Sequence, residues 1–265
     1  MKPYYQDNRA TLYHGDCLEV MAGLEAASFD AVIADVPFGS TDNPWDQIIP
    51  FVPMWGQLKR LTRRRAAIVL FAREPFSSTL VVSNPNAYKH KWIWDKGLSG
   101  SFHLAKYQPL QVDEDIFVFG FGSVNYYPQM VNGKLRYKGG HNGHPSMGGL
   151  RPTEKYLSGE YYPSNILKFT PVREGNLHPT QKPLDLLEYL IKTYTNEGDL
   201  VLDFTSGSGT TLRAAKNLNR YAVGIELLEP YCAATVKRLA PTFEDGAIVT
   251  READWSGTLF AEAQP

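Results

Sequence analysis

The apolar positions of this chain fall in short continuous runs separated by glycine, proline and polar residues. In FDAVIADVPFGS (29–40), Ala31, Val32, Ile33 and Ala34 are consecutive and apolar, as in a strand covered on both faces, and the run stops on Asp35. AAIVLFA (66–72), HKWIWDK (90–96) and DIFVFGF (115–121) also read as strands. FVPMWGQL (51–58) reads as a helix, and Leu184, Leu187, Tyr189, Leu190 and Ile191 form a helical stripe closed by the turn at 196–198. LVLDFTSGSGTTLRAAKNLNRYAVGIE (200–226) predicts a β-α-β unit: a strand from Leu200 to Phe204, a glycine turn, a helix from Thr210 to Leu218 and a strand from Tyr221 to Ile225. The texture is α/β.

Between 120 and 180 the periodicity lapses. YYPQMVNGKLRYKGGHNGHPSMGGLRP reads as an inserted, loop-rich lobe. The whole chain has a formal net charge of −1 and a pI near 6.6, which opposes a non-specific nucleic-acid coat. From 120 to 175, however, seven lysines and arginines stand against three glutamates. Tyr126, Tyr127, Tyr137, Tyr156, Tyr161 and Tyr162 are interleaved with them, a mixture suited either to phosphate contacts and base stacking or to a surface lobe packing its own small core. KRLTRRR (59–65) reads as a solvated helix end with cations near the last carbonyls. His141 and His144 lack a Cys or carboxylate partner at ligand spacing, and Cys17 and Cys232 lack CxxC spacing, so neither a metal nor a disulfide is expected. The N-terminus is polar and no run approaches the roughly 20 apolar residues of a membrane span. A cytoplasmic enzyme without a membrane partner is the expectation.

Two loops carry candidate chemistry. After the strand ending at Ala34, Pro37 fixes φ and Gly39 permits a sharp turn, so Asp35 to Ser40 forms a stiff loop at a strand's carboxyl end, where open α/β sheets bind ligands. In the second loop, DFTSGSGTT, Gly207 and Gly209 let backbone approach a ligand ahead of a helix N-terminus. Glu226 follows Gly207 by nineteen residues, the spacing that puts an acid on ribose hydroxyls. Asp203 would repel a pyrophosphate and attract an ammonium. Those groups suit S-adenosylmethionine, which has an ammonium and a ribose but no phosphate, better than a dinucleotide.

With these residues in place the chain resembles the DNA amino-methyltransferases of the permuted, beta order, in which the catalytic tetrapeptide precedes the cofactor loop. DVPFGS with NPWD (43–46) stands for the catalytic motif D-P-P-Y, HPTQKP (178–183) for the segment before the cofactor half, LDFTSGSGTT for the cofactor loop, and LYHGDCLEVM (12–21) for the motif whose acid, here Asp16, lies near the adenine of the cofactor. In texture it is similar to stand-alone adenine methyltransferases of phage or prophage type. The resemblance implies a Rossmann-like, S-adenosylmethionine-dependent fold with a mixed, mostly parallel sheet. It divides the chain into a catalytic half (1–96), an inserted target-recognition region (97–177) and a cofactor-binding half (178–265).

By the same resemblance Asp35, Val36, Pro37 and Phe38 are catalytic. The Asp35 carboxylate and the carbonyl of Val36 would accept the two hydrogens of a flipped-out adenine's N6, and Phe38 would stack on that base without the hydroxyl of the family's tyrosine. The cofactor pocket would be formed by Asp16, His178, Thr180, Gln181, Lys182, Asp203, Phe204, Gly207, Gly209, Thr210, Thr211 and Glu226, with Lys182 meeting the methionine carboxylate. Double-stranded DNA is the implied partner. Dimers occur among similar enzymes, but no residue here fixes a dimer or a partner nuclease. Cytosine-N4 methylation is the alternative, though relatives with that activity more often carry Ser where this chain has Asp35. A second alternative is a decayed DNA- or cofactor-binding protein, motivated by Val36 and Phe38.

Overall fold

A computed structural model describes residues 1–43, 45–98, 102–138, 156–172 and 181–240. Its strands in chain order are β1 (Tyr5–Gln6), β2 (Ala10–His14), β3 (Phe29–Ala34), β4 (Thr62–Ala72), β5 (Tyr88–Asp95), β6 (Asp113–Phe119), β7 (Val131–Lys138), β8 (Tyr156–Tyr161), β9 (Ile166–Lys168), β10 (Leu200–Asp203) and β11 (Tyr221–Glu226). The helices are α1 (Cys17–Gly23), α2 (Phe51–Leu61), α3 (Phe76–Ser83), α4 (Leu184–Tyr194), α5 (Thr210–Asn217) and α6 (Glu229–Leu239).

Among the described residues the main sheet runs β1-β2-β11-β10-β3-β4-β6-β5-β9. From β2 to β4 the neighbours are parallel, and β6 runs antiparallel to both β4 and β5. The continuous apolar run of β3 now has its reason. Val32 and Ala34 enter one core with Met21 of α1, Leu58 of α2 and Leu80 of α3, while Ile33 enters the other with Leu190 of α4, Leu212 of α5 and Leu239 of α6. Successive side chains of a strand point to opposite faces, so a sheet covered twice needs apolar residues at every position.

The reversal of β6 sets up the functional edge. Asp115 of β6 pairs with Ala72 at the end of β4, and Asp113 pairs with Asp95 at the end of β5. The acidic start of β6 therefore lies beside the carboxyl ends of its neighbours.

The basic run 59–65 differs from the expected helix end. α2 stops at Leu61, and Arg63, Arg64 and Arg65 occupy the exposed beginning of β4. Arg60 does meet helix-end carbonyls, but of the preceding helix: its guanidinium donates to Leu24 O at 2.7 Å and Met21 O at 2.5 Å, at the end of α1.

Residues 128–164 form a separate compact unit containing the antiparallel β7–β8 pair, in which the Tyr161 hydroxyl donates to Lys134 O at 2.6 Å. Tyr137, Tyr156 and Tyr162 are exposed. Two strands within the span 97–177 belong instead to the main sheet: β6, buried between β4 and β5, and β9, which extends the sheet beyond β5. DIFVFGF was legible as a strand, but an insertion point depends on pairing partners that a single strand's pattern does not name.

α4 is held to the sheet by a polar contact inside the apolar core. The fully buried Tyr194 hydroxyl accepts from Trp92 Nε1 at 2.6 Å and lies 2.9 Å from His90 Nε2. Tyr194→Phe removes the hydroxyl that both rings share and leaves the buried indole N–H unsatisfied, which should cost about 1–3 kcal/mol. Urea denaturation of the variant against the native protein measures that loss.

Candidate active site

β3 delivers Asp35 to the carboxyl edge of the sheet, and the loop that follows is shaped by one acid. Asp46 Oδ1 accepts from the amides of Phe38 (2.8 Å) and Gly39 (2.9 Å). Its Oδ2 accepts from the amides of Ser40 (2.9 Å) and Thr41 (2.7 Å) and from the Thr41 hydroxyl (2.8 Å). Burial alone would raise the Asp46 carboxyl, but the Thr41 hydroxyl and the loop amides outweigh it and hold the group below its ordinary range. Gly39 sits at φ +67°, which a side chain would strain. Val36 is buried, and Phe38 stacks on Phe76 with ring centroids 5.4 Å apart.

Asp35 itself is paired. Lys182 Nζ, just before α4, donates to Asp35 Oδ2 at 2.7 Å and lies 2.8 Å from Glu114 Oε1 at the start of β6. The Glu114 contact is a close ion pair without hydrogen-bond geometry, and Lys96 reaches the other Glu114 oxygen at 3.3 Å. The ammonium is walled by aromatic rings, 5.0 Å from the Phe71 centroid and 6.0 Å from those of Phe38 and Trp94. Burial pushes Asp35 up to about 6, with Lys182 opposing and the charges of Glu114 and Asp46 adding to the rise. Lys182, despite its burial, is held strongly protonated by the two carboxylates. The resemblance placed this ammonium on a cofactor carboxylate; in the structure Asp35 and Glu114 share it.

The second loop joins β10 to α5. Asp203 closes β10, with Oδ1 accepting from the Thr205 amide at 3.2 Å. Burial, reinforced by the charges of Asp35 and Glu226, pushes its carboxyl up to about 7 against hydrogen bonds from Thr211 and Thr205. Among the described residues Thr205 Oγ1 and Ser206 Oγ are buried with no protein partner. Gly209 caps α5 at φ +75°, where a Cβ would lie 2.7 Å from Thr235 Oγ1, so only glycine fits. Glu226, at the end of β11, accepts from the Gly207 amide at 2.8 Å and the Leu228 amide at 2.9 Å, bracing the turn. Burial raises its carboxyl against those amides. Asp16 caps α1, accepting from the amides of Leu18 (2.8 Å) and Glu19 (3.2 Å). Gln181 Oε1 accepts from Arg238 at 2.6 Å and from the Ser208 hydroxyl at 3.3 Å.

These elements surround one cavity of about 610 Å³. Asp35 to Phe38 line it together with Asp16, Gln181 and Lys182; Asp203, Phe204, Gly207, Thr210, Thr211 and Glu226 complete its other side. Gly209 shapes the loop without lining the cavity. His178 and Thr180, like His141 and His144, lie outside the described residues. Two acids that line the cavity, Asp46 and Glu114, were not among the residues expected from the sequence. Asp46 had a signal, since it ends the NPWD stretch, and its spacing from Phe38 allows it to receive the loop amides. Glu114 had only an acidic strand start, which becomes informative once β6 is known to run backwards. Among the described residues no helix is long and apolar enough to cross a membrane.

A family profile, N6_N4_Mtase, described as DNA methylase, matches residues 41–237. The type II methyltransferase M2.DpnII of Streptococcus pneumoniae is 26% identical over 260 residues, covering 90% of this chain and 92% of its own length. M.HpaI of Haemophilus parainfluenzae is 27% identical over 245 residues, covering 86% and 73%. Among solved structures, the cytosine-N4-specific PvuII DNA methyltransferase superposes with a TM-score of 0.70 at 16% identity, covering 91% of this chain and 90% of that one. The complex of M1.HpyAVI with SAM superposes at 0.59 with 26% identity, covering 87% and all of that chain.

Asp46→Ala should lower stability at pH 7 by about 2–3 kcal/mol, because it removes an ionised acceptor serving four amides and a hydroxyl. The folded carboxyl titrates below its unfolded value, so its contribution is present above the ordinary carboxylate range and is lost as pH falls through the folded pKa. Urea midpoints of the two proteins should therefore converge on acidification.

Proposed function

This chain belongs to the N6/N4 family of DNA methylases, and we propose that it methylates the exocyclic N6 of an adenine presented to Asp35. It is a site-specific DNA methyltransferase, and its cofactor is S-adenosylmethionine. The residues fit that cofactor. Asp203 offers a carboxylate for the ammonium, the Glu226 carboxylate stands at the end of β11 for the ribose hydroxyls, and the buried hydroxyls of Thr205 and Ser206, without a protein partner among the described residues, line the same cavity as the start of α5. When bound, S-adenosylmethionine supplies the sulfonium methyl group.

The observation that carries the adenine reading is Asp35 itself. One oxygen is anchored by Lys182, and among the described residues the other has no protein hydrogen-bond partner. An exocyclic amine conjugated to a purine ring is a poor nucleophile, because its lone pair is delocalised. Hydrogen bonds from its two N–H groups, one to Asp35 and one to the Val36 carbonyl, favour a tetrahedral nitrogen with the lone pair turned toward the methyl donor. Pro37 and the Asp46 bonds keep the loop from yielding. Phe38, already stacked on Phe76, extends an aromatic surface for a base taken out of the duplex. Relatives that methylate cytosine N4 more often carry Ser at the Asp35 position, which supports adenine here. The catalytic loop precedes the cofactor loop in the chain, the permuted order.

Nucleoside mass spectrometry of DNA incubated with the protein and S-adenosylmethionine should reveal N6-methyladenine. Asp35→Ala should reduce the yield by about 10²–10³-fold or more, with cofactor affinity retained. N4-methylcytosine would overturn the base assignment, and retained activity in the variant would remove Asp35 from the reaction.

The raised Asp203 carboxyl makes cofactor affinity pH-dependent. Only its ionised form attracts the ammonium, so affinity should fall as pH drops below about 7, roughly eightfold between pH 7.5 and 6. Calorimetric titration would show this slope in the native protein and a flat, weaker profile in Asp203→Asn; equal slopes would argue against the ammonium assignment.

A further inference from the structure

One ammonium serves two carboxylates at this site, and only one of those carboxylates belongs to the catalytic tetrapeptide. Lys182 and Glu114 are both buried, with side-chain exposures of 8% and 9%, whereas Asp35 is 24% exposed and faces the cavity. A buried ion pair serving stability alone would be closed on itself; here the cation is divided, hydrogen-bonded to Asp35 and in ionic contact with Glu114. We propose that Lys182 and Glu114 are positioning residues for Asp35: the shared ammonium pins Oδ2 and leaves Oδ1 for the amine, while Glu114 takes up part of the positive charge that would otherwise neutralise Asp35.

The inference rests on the reading of Asp35 as the amine's acceptor and assigns the groups that make it competent. During transfer the N6 lone pair forms the new N–CH3 bond and the C–S electron pair returns to sulfur. The amino nitrogen is then positively charged, and one of its protons passes to Asp35 as the N–H pair becomes the nitrogen's new lone pair. An Asp35 paired alone with a buried lysine would be a weak proton acceptor, because the ammonium favours its ionised form. Glu114 corrects this by competing for the same cation. The charged groups facing Asp35 come from several elements: Lys182 before α4, Glu114 on β6, Asp46 from the loop and Asp203 at the end of β10, with Lys96 reaching the set through Glu114.

The test is Glu114→Gln, read in two ways. In the cofactor-free protein, 13C NMR of labelled aspartate carboxyls, with Asp35 assigned by its loss in Asp35→Asn, follows the titration directly. At saturating cofactor and DNA, single-turnover rates against pH follow the acid limb of the reaction. Removing a like charge favours the ionised form, so both midpoints should move down by roughly one pH unit in Glu114→Gln, and Glu114→Asp, which keeps the charge, should restore them toward native. Midpoints unchanged in Glu114→Gln, with Asp35→Asn inactive, would overturn the proposal and leave Asp35 as acceptor. An active Asp35→Asn would overturn the acceptor reading and this proposal with it. If Glu114→Gln fails to fold, Lys182→Met is decisive in the opposite sense: its Asp35 midpoint must rise, and an unchanged one overturns the proposal.

Discussion

A sheet buried on both faces can offer chemistry only at its ends. In this protein Val32 and Ala34 face one core and Ile33 the other, so Asp35, immediately past β3, is the first position after that buried run free to carry a charge. The same restriction acts on β10 and β11, whose final residues are Asp203 and Glu226. Three parallel strands thus end in three acids on one edge. Burial of the strands is what concentrates the acids.

That concentration has an electrostatic cost, which the structure offsets locally. Asp46 is held by four amides and a hydroxyl, Glu226 by two amides, and Asp35 by Lys182. Asp203 is met by hydrogen bonds from Thr205 and Thr211, and burial still pushes its carboxyl up to about 7. A ligand bringing an ammonium to that position supplies the missing counter-charge. The raised carboxyl and the orphaned hydroxyls beside it describe the same unmet demand in different chemical terms.

The two halves of the cavity are joined through side chains remote in sequence. Lys182 is 147 residues from Asp35, and it reaches both Asp35 and Glu114 because the reversed β6 brings its first residues to the carboxyl edge. α4, which follows Lys182, is fastened through the Tyr194 hydroxyl to Trp92 of β5. Movement of α4 would therefore displace the cation that anchors Asp35.

Much was legible in the sequence, for physical reasons. Continuous apolar runs identify covered strands, glycines mark loops where φ must be positive or backbone must come close, and an acid at the end of an apolar strand announces a functional edge. These are local properties, and they suffice for the α/β class, the Asp35 loop and the Asp203–Glu226 loop. The neighbours of those acids are another matter. Glu114 lies on a strand whose direction is set by pairing with β4 and β5, and the partner of Lys182 is chosen by packing across the sheet rather than by any motif around it. Arg60 likewise sits at the end of its own helix in sequence but completes a different one in space. Backbone periodicity is local, so the charges carried to the strand ends can be read along the chain; ion pairing acts through distance and burial between segments far apart in it, so which charges meet is fixed by the packed fold.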